Sequence, residues 1–205
     1  MSTSLDLKSI PSDETITAAG NLQVFDKDGG KVQFGSLFET EKAIVVFIRH
    51  FFCGNCQEYV AQLASVSAEA LAQAHTKIVV IGCGDYQPIK NYLGLTDFRG
   101  DIYADPTRSL YHELGMTTES LQQTPAGEQR KSYLRTGAIA NAFKSIWTGP
   151  LKNPALVGKQ GNISQLGGDF IFGPGNLCSF ASRMRHTEDH VEVADLMQTA
   201  GVAYP

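Results

Sequence analysis

Alternation of apolar and polar residues near the start of the chain predicts a β-hairpin. Residues 22–25 and 32–34 alternate in character, and the segment 26–30, rich in Asp and Gly, joins them. Asp and Gly accept the positive backbone φ that tight turns require. The first 20 residues are mostly polar. We therefore expect a polar lead-in over 1–20 and a single domain over about 21–201.

Two continuous apolar runs follow the hairpin and predict strands that are buried on both faces. Residues 43–48 and 77–82 are rich in β-branched side chains, as in the central strands of parallel sheets. Between them, apolar residues recur every three or four positions from Val60 to Ala74, which predicts one amphipathic helix. A strand, helix and strand of this length form a right-handed crossover with parallel strands.

Strands and helices continue to alternate in the later part of the chain, with one interruption at residues 117–165. The predicted elements are a helix at 87–94, strands at 101–104, 169–172 and 177–181, and helices near 107–114 and 190–199. Residues 117–165 contain many Gly, Pro and Gln residues around a helical spacing from Tyr133 to Trp147. We expect an inserted amphipathic helix there. The fold class is α/β, a central mixed β-sheet flanked by helices.

The four cysteines are too few for a disulfide scaffold, and two of them form a CxxC motif. Cys53 and Cys56 lie where the first buried strand gives way to the following helix. The unpaired N–H groups and positive dipole end of a helix N-terminus stabilise a thiolate, which lowers the pKa of Cys53. Cys56 is then placed to resolve a sulfenic acid or mixed disulfide on Cys53.

A zinc half-site or two inert cysteines is the alternative interpretation of this motif. Zinc normally takes four ligands, and no second CxxC or HxxxH lies at zinc-finger spacing. The position between strand and helix favours redox chemistry. We predict no metal and no organic cofactor.

Several residues around the motif are candidates for supporting the thiolate. Arg49 and His50 precede it, and Cys83 follows the second buried strand. Arg183 and Arg185 follow the last strand, where an arginine could hold the thiolate and polarise a peroxide. Each has a structural alternative: a satisfied histidine, a small buried cysteine or a solvated arginine.

An apolar substrate pocket is predicted from three aromatic residues. Tyr86 shares the rim of the sheet with Cys83, and Phe143 and Trp147 lie on the predicted inserted helix. Such an apolar stripe is more often plain core or a homodimer contact.

Charge and hydropathy exclude some partners. The net charge is -4 and no run of Lys or Arg is present, which argues against nucleic-acid binding. No apolar run has the length of a signal peptide or a membrane span. We expect a cytoplasmic protein without a membrane partner.

The segment 47–60 resembles the AhpC/TSA-type, peroxiredoxin-like 2 family. The likeness extends from about Leu22 to Leu196 and includes residues 103–106, 114–116, 147–151, 167–168, 172–176 and 189–190. The resemblance implies a thioredoxin fold with a peroxiredoxin-style N-terminal hairpin. It also implies a Cys53 nucleophile with Cys56 as its partner, reduced by thioredoxin.

The sequence departs from both better-known branches of the fold. Peroxiredoxins carry a PxxxTxxC pattern, whereas Arg49, His50, Phe51 and Phe52 precede Cys53 here. Thioredoxins carry WCGPC and a proline before the strand that faces it, whereas this chain has CGNC and enters that strand through residues 167–169. The oxygen-cradling hydroxyl of peroxiredoxins is absent.

Three functions remain open on this sequence. The first is reduction of a peroxide or endoperoxide by Cys53, resolved by Cys56 and re-reduced by thioredoxin or glutathione. The second is a specialised small-molecule enzyme with low general peroxidase activity. The third is a non-enzymatic redox-sensing interaction domain, because a fold shared with enzymes does not establish activity.

Overall fold

A computed structural model describes residues 6–135 and 151–205 of the chain. The strands are β1 (Gln23–Phe25), β2 (Lys31–Gln33), β3 (Lys42–Ile48), β4 (Thr76–Gly82), β5 (Asp101–Ala104), β6 (Gly168–Phe172) and β7 (Cys178–Arg183). The helices are α1 (Asp13–Gly20), α2 (Gly54–Leu63), α3 (Ala68–Gln73), α4 (Ile89–Thr96), α5 (Ser109–Glu113) and α6 (Val193–Ala200), with 3₁₀ turns at Phe34–Leu37 and Pro154–Leu156.

The described strands form one mixed sheet in the order β2-β1-β5-β4-β3-β6-β7. β3, β4 and β5 are parallel neighbours, and β6 runs antiparallel to β3 on its other side. The predicted N-terminal hairpin joins the edge of β5 through the pair Phe25 and Ala104. The carboxyl ends of β3 and β4 therefore meet at one edge of the sheet, where α/β folds place their sites.

Two apolar layers cover the sheet. Ile44, Val46 and Ile48 of β3 pack in the layer that contains residues of α2, α4 and α6. Val45 and Phe47 point to the opposite layer, which contains residues of α1 and α5. Because β3 is covered on both faces, its sequence is continuously apolar rather than alternating.

The single helix predicted from Val60 to Ala74 is wrong, because the structure divides it into α2 and α3. Ser67 is the N-cap of α3, and its side chain accepts a hydrogen bond from the Ala70 N–H. A serine that binds the backbone in this way competes with continuation of the preceding helix. Val66 in the intervening turn is buried in the core.

The segment predicted as a polar lead-in contains helix α1. Ser12 caps it by accepting from the Thr15 N–H, and Ile16 and Ala19 are its buried residues. The periodic signal in the sequence was weak because so few apolar side chains of α1 point inward.

The predicted inserted helix lies mostly outside the described residues. Tyr133 and Leu134, at its predicted start, lie in a turn and are buried in the core layer beside α2. An isolated bridge between Glu119 and Gln165 joins the two ends of the insertion. Within residues 6–135 and 151–205, no helix is long and apolar enough to cross a membrane.

Candidate active site

Cys53 lies at the N-terminus of α2, at the edge where β3 ends. It is the N-cap residue of the helix, and its Sγ accepts a hydrogen bond from the backbone N–H of Cys56 at 3.3 Å. The thiol thus occupies the place that a Ser or Asp takes in other helix caps. The positive end of the helix dipole faces the sulfur, as the sequence predicts.

The two cysteines form a hydrogen-bonded dithiol that Arg49 flanks. Cys56 Sγ donates to Cys53 Sγ at 2.8 Å, and both thiols are free. Arg49 Nη1 lies 3.6 Å from Cys53 Sγ, while its Nη2 donates to the carbonyl oxygen of Ile163 at 2.5 Å. The backbone N–H of Arg49 also donates to Cys56 Sγ at 3.5 Å. One residue therefore contacts both sulfurs.

The two thiols have opposite acidities. Burial raises the pKa of Cys53, but the hydrogen bond from Cys56 and the charge of Arg49 outweigh it and lower the pKa to about 6. Burial, together with the hydrogen bond to Cys53, holds the pKa of Cys56 well above its ordinary value. At neutral pH the arrangement is therefore a Cys53 thiolate beside a Cys56 thiol.

His50 cannot support the thiolate as a cation. Burial, followed by the charge of Arg49, lowers the pKa of His50 to about 3. The imidazole is therefore neutral at physiological pH. Its Nδ1 is buried and has no hydrogen-bond partner in the described part of the chain.

Cys83 lies close to the site, and its thiol contacts the backbone of Arg49. Burial raises the pKa of Cys83 to about 12, so the thiol stays protonated. Its Sγ donates to the carbonyl oxygen of Arg49 at 2.8 Å. This hydrogen bond links the end of β4 to the backbone of Arg49. Cys178 is also protonated at neutral pH, because burial raises its pKa to about 11.

The structure contradicts the prediction that Arg183 supports the thiolate. Its Nε donates to the carbonyl oxygen of Leu114 at 2.6 Å, and its Nη1 donates to those of Leu7 and Ser9 at 3.2 and 3.0 Å. The guanidinium lies 5.3 Å from the centre of the Phe170 ring, in the layer opposite the dithiol. A residue at the end of β7 reaches this layer because side chains alternate between the faces of a sheet.

The predicted pocket residues are only partly described. Tyr86 packs on the turn of the N-terminal hairpin, where a Cβ atom on Gly29 would lie 2.9 Å from the Tyr86 Cζ. Phe143 and Trp147 lie outside the described residues, so the apolar pocket stays a prediction. Arg185, the other arginine that follows the last strand, is half-exposed and pairs with Asp189 at 2.8 Å.

The structure adds a buried polar cluster that sequence reasoning missed. Asp169 of β6 lies 3.0 Å from His190 Nδ1 and accepts from the Tyr59 hydroxyl at 3.3 Å. The Tyr59 ring stacks on His190 with centroids 4.3 Å apart. Tyr59 follows Cys56 by three residues on α2, so the two side chains lie on the same face of the helix. That spacing was the one sign in the sequence that Tyr59 lies near the site. No three His, Cys, Asp or Glu residues in the described ranges are grouped to hold a metal ion.

Solved structures confirm that the chain has the thioredoxin-like fold of peroxiredoxins. Peroxiredoxin Q of Xanthomonas campestris superposes with a TM-score of 0.58 at 13% identity, over 90% of each chain. A secreted Mycobacterium tuberculosis disulfide oxidoreductase superposes with a TM-score of 0.51 at 10% identity, over 93% of this chain and 98% of its own. A helix-capping CxxC on this fold defines the class of thiol oxidoreductases.

Within that class, the chain belongs to the peroxiredoxin-like AhpC/TSA antioxidant enzyme family. The family model matches residues 62–186, more than half of the chain. Mouse Peroxiredoxin-like 2C is 37% identical over 186 residues, which cover 90% of this chain and 80% of the mouse protein. Prostamide/prostaglandin F synthase of Danio rerio is 26% identical over 144 residues, covering 68% of this chain and 70% of that one.

Proposed function

We propose that this protein reduces a peroxide or endoperoxide, with Cys53 as the nucleophile and Cys56 as the resolving thiol. The proposal rests on one observation: of two sulfurs 2.8 Å apart, Cys53 has a lowered pKa and Cys56 a raised pKa. A lowered pKa supplies the thiolate that attacks, and a raised pKa keeps the second thiol protonated until it is needed. Membership of the AhpC/TSA family supports the same chemistry.

The first step transfers one oxygen atom to sulfur. The Cys53 thiolate attacks an oxygen of the O–O bond, so that an S–O bond forms as the O–O bond breaks. With a hydroperoxide, sulfur is oxidised to a sulfenic acid, and the leaving alkoxide takes up a proton to become an alcohol. With an endoperoxide, one oxygen stays bonded to sulfur in a sulfenate ester, and the other leaves as an alkoxide of the same molecule and takes up a proton.

The second step closes the disulfide. Cys56 loses its proton and its thiolate attacks Cys53 sulfur, forming the S–S bond as the S–O bond breaks. Hydroxide or the second alkoxide leaves and takes up a proton. A dithiol such as thioredoxin, or two glutathione molecules, then reduces the disulfide to the starting dithiol and is itself oxidised.

Arg49 is the charged group placed to act in both the resting state and the first step. Its Nη1 lies 3.6 Å from Cys53 Sγ, where it stabilises the thiolate. A guanidinium at this distance also faces an oxygen that bonds to the sulfur, and it stabilises the negative charge that develops there. Its anchoring hydrogen bond to Ile163 holds it in this position.

Turnover of Cys53→Ser and Cys56→Ser tests the proposal with hydrogen peroxide and an organic hydroperoxide in the presence of thioredoxin. C53S should lose peroxide consumption. C56S should react once and stop at the sulfenic acid. Cys178→Ser is the matched control, because this thiol is protonated and lies in β7. Full turnover by C53S would refute the proposal, and a site inert to both oxidants would favour a redox-sensing domain.

A dedicated apolar endoperoxide is the second candidate substrate. Cys53 follows two buried phenylalanines, Phe51 and Phe52, and is itself only 4% exposed. The likeness to Danio rerio prostamide/prostaglandin F synthase points in the same direction. This candidate predicts that a lipid endoperoxide is reduced far faster than hydrogen peroxide, and equal rates would exclude it.

A further inference from the structure

The carbonyl group that orients Arg49 belongs to a tight turn. Arg49 Nη2 donates to the Ile163 carbonyl oxygen at 2.5 Å, and Nη1 of the same guanidinium lies 3.6 Å from Cys53 Sγ. The Gln165 N–H donates to the Asn162 carbonyl oxygen at 3.2 Å and closes a turn between these two residues, which we call the Ile163 turn. The conformation of this turn therefore sets the position of the acceptor that holds Arg49.

Asn162 fixes the peptide group that carries this carbonyl. Its Oδ1 accepts a hydrogen bond from the Ser164 N–H at 2.9 Å, which makes an Asx turn. That N–H and the Ile163 carbonyl belong to the same planar peptide group, and in a trans peptide they point in opposite directions. Because Asn162 holds the N–H on one side, the carbonyl is directed to the other side, where it meets Arg49.

The chain just before the Ile163 turn is tied to the edge of the sheet that carries the dithiol. The Phe51 N–H, shortly after β3, donates to the Gln160 carbonyl oxygen at 3.0 Å. Gly161 lies against Cys83, because a Cβ atom on Gly161 would lie 2.7 Å from Cys83 Sγ. Gly161 also has a φ of +97°, a conformation that favours glycine. The turn therefore begins from a fixed point beside the site.

An ion pair between Glu119 and Arg108 holds the Ile163 turn from outside. The Ser164 hydroxyl, which has one proton, lies 2.7 Å from Asn162 Oδ1 and 3.0 Å from Glu119 Oε2. Hydrogen bonds from Arg108 and then from Ser164 and Asn162 lower the pKa of this carboxyl, so it is charged at neutral pH. Arg108 Nη1 also donates to Gln165 Oε1 at 3.0 Å. The ion pair thus contacts the side chains at both ends of the turn.

We propose that Asn162 is a positioning residue, which holds the Ile163 carbonyl where it directs the Arg49 guanidinium onto the site sulfur. Glu119 supports it from the neighbouring segment, since it binds the side chains of Asn162 and Ser164. Both residues act on the sulfur through Arg49. This inference rests on the proposed function for its effect on turnover, whereas its effect on the thiolate is measurable without a peroxide.

The sign of the effect distinguishes positioning from direct electrostatics. Glu119→Ala removes a negative charge, and that loss by itself would lower the pKa of Cys53. A carboxylate that holds the turn has the opposite effect, because its removal frees the guanidinium and raises that pKa. Asn162→Ala changes no charge and should raise the pKa of Cys53 as well.

The pH profile of Cys53 alkylation in the full chain, measured by mass spectrometry, tests these shifts. N162A and E119A should each raise the half-maximum by about one unit, so that the rate at about pH 6 falls roughly fivefold. Glu119→Gln keeps an oxygen that can accept from Ser164 and should shift the profile less. Glu113→Ala removes an exposed carboxylate at the end of α5. It is the matched control and should leave the profile in place.

A double-mutant cycle with Arg49→Met tests whether the effect passes through Arg49. R49M has no guanidinium to position, so N162A or E119A should add no further shift in that background. An equal shift in the R49M background, an unchanged profile in N162A or a lowered half-maximum in E119A would overturn the inference. If the profiles shift as expected but neither the native protein nor any variant consumes peroxide, the proposed function fails and the positioning of Arg49 stands.

Discussion

At the scale of single residues, the proposed chemistry depends on one arginine and two sulfurs. Arg49 contacts Cys53 through its guanidinium and Cys56 through its backbone N–H. Burial opposes ionisation of both thiols. The charge of Arg49 and the hydrogen bonds to the two sulfurs therefore decide which thiol becomes the thiolate. The hydrogen bond between the sulfurs makes the choice unequal, because it stabilises charge on Cys53 alone.

The pH dependence of Cys53 reactivity follows from this balance. With its pKa lowered to about 6, the sulfur is a thiol below that pH and a thiolate above it. Its reaction rate with peroxide or a small alkylating agent should rise through about pH 6 and level off above pH 7. Mass spectrometry of the alkylated peptide measures the rate at each pH. A half-maximum near pH 8.5, the range of an ordinary thiol, would contradict the account.

Removal of the Arg49 charge should raise the pKa of Cys53. In Arg49→Met, burial is opposed only by the hydrogen bonds from Cys56, so the Cys53 pKa should rise by about one to three units. Arg49→Lys keeps the charge but not the two-sided contact and should give an intermediate value. Arg99→Met, at an exposed position, is the control and should leave the pH profile of Cys53 alkylation in place.

At the scale of elements, the site lies where α2 begins. Strand β6 pairs with β3 and contacts α2 through Asp169. The strand–CxxC–helix arrangement could be predicted because the apolar run of β3 and the periodicity of α2 are local signals. Residues brought in by distant segments could not. The carbonyl of Ile163, which orients Arg49, and Asp169, which meets His190, come from segments whose pairing with α2 the sequence does not encode locally.

The Asp169 cluster should stabilise the junction of these elements. Asp169 accepts hydrogen bonds from the Tyr59 hydroxyl on α2 and from the Val191 N–H just before α6. Its replacement by Ala leaves buried polar groups without their acceptor and should lower the free energy of unfolding by about 3–5 kcal/mol. Urea denaturation measures the loss, with Asp101→Ala at an exposed position as the control. A loss below 1 kcal/mol would show that the cluster is dispensable.

At the scale of the whole molecule, the sequence predicted the sheet and the N-terminal hairpin, but it did not predict helix α1 within residues 1–20. Residues 1–20 looked like a lead-in, and Arg183 looked like a site residue. The structure links the two observations, because Arg183 binds the carbonyl oxygens of Leu7 and Ser9 and fixes the segment that leads into α1. Side-chain direction at the end of β7 decides this role, and residue type alone does not reveal it.

Arg183→Met should therefore loosen the N-terminal segment and leave the dithiol unaffected. Hydrogen exchange over residues 6–20 should become faster, because the backbone carbonyls of Leu7 and Ser9 lose a charged donor. The alkylation profile of Cys53 should not move. Arg185→Met, which breaks an exposed ion pair, is the matched control for loss of a positive charge. A changed pH profile of Cys53 alkylation in R183M would show that Arg183 does influence the thiolate.

The Cys53–Cys56 cycle is tested most directly by a single turnover of the reduced protein with one equivalent of an organic hydroperoxide, followed by peptide mapping of the cysteines. We expect rapid oxidation above about pH 6 that ends in a disulfide between Cys53 and Cys56, with Cys83 and Cys178 still reduced. Oxidation no faster than that of an ordinary free thiol, or a disulfide that includes Cys83, would contradict it.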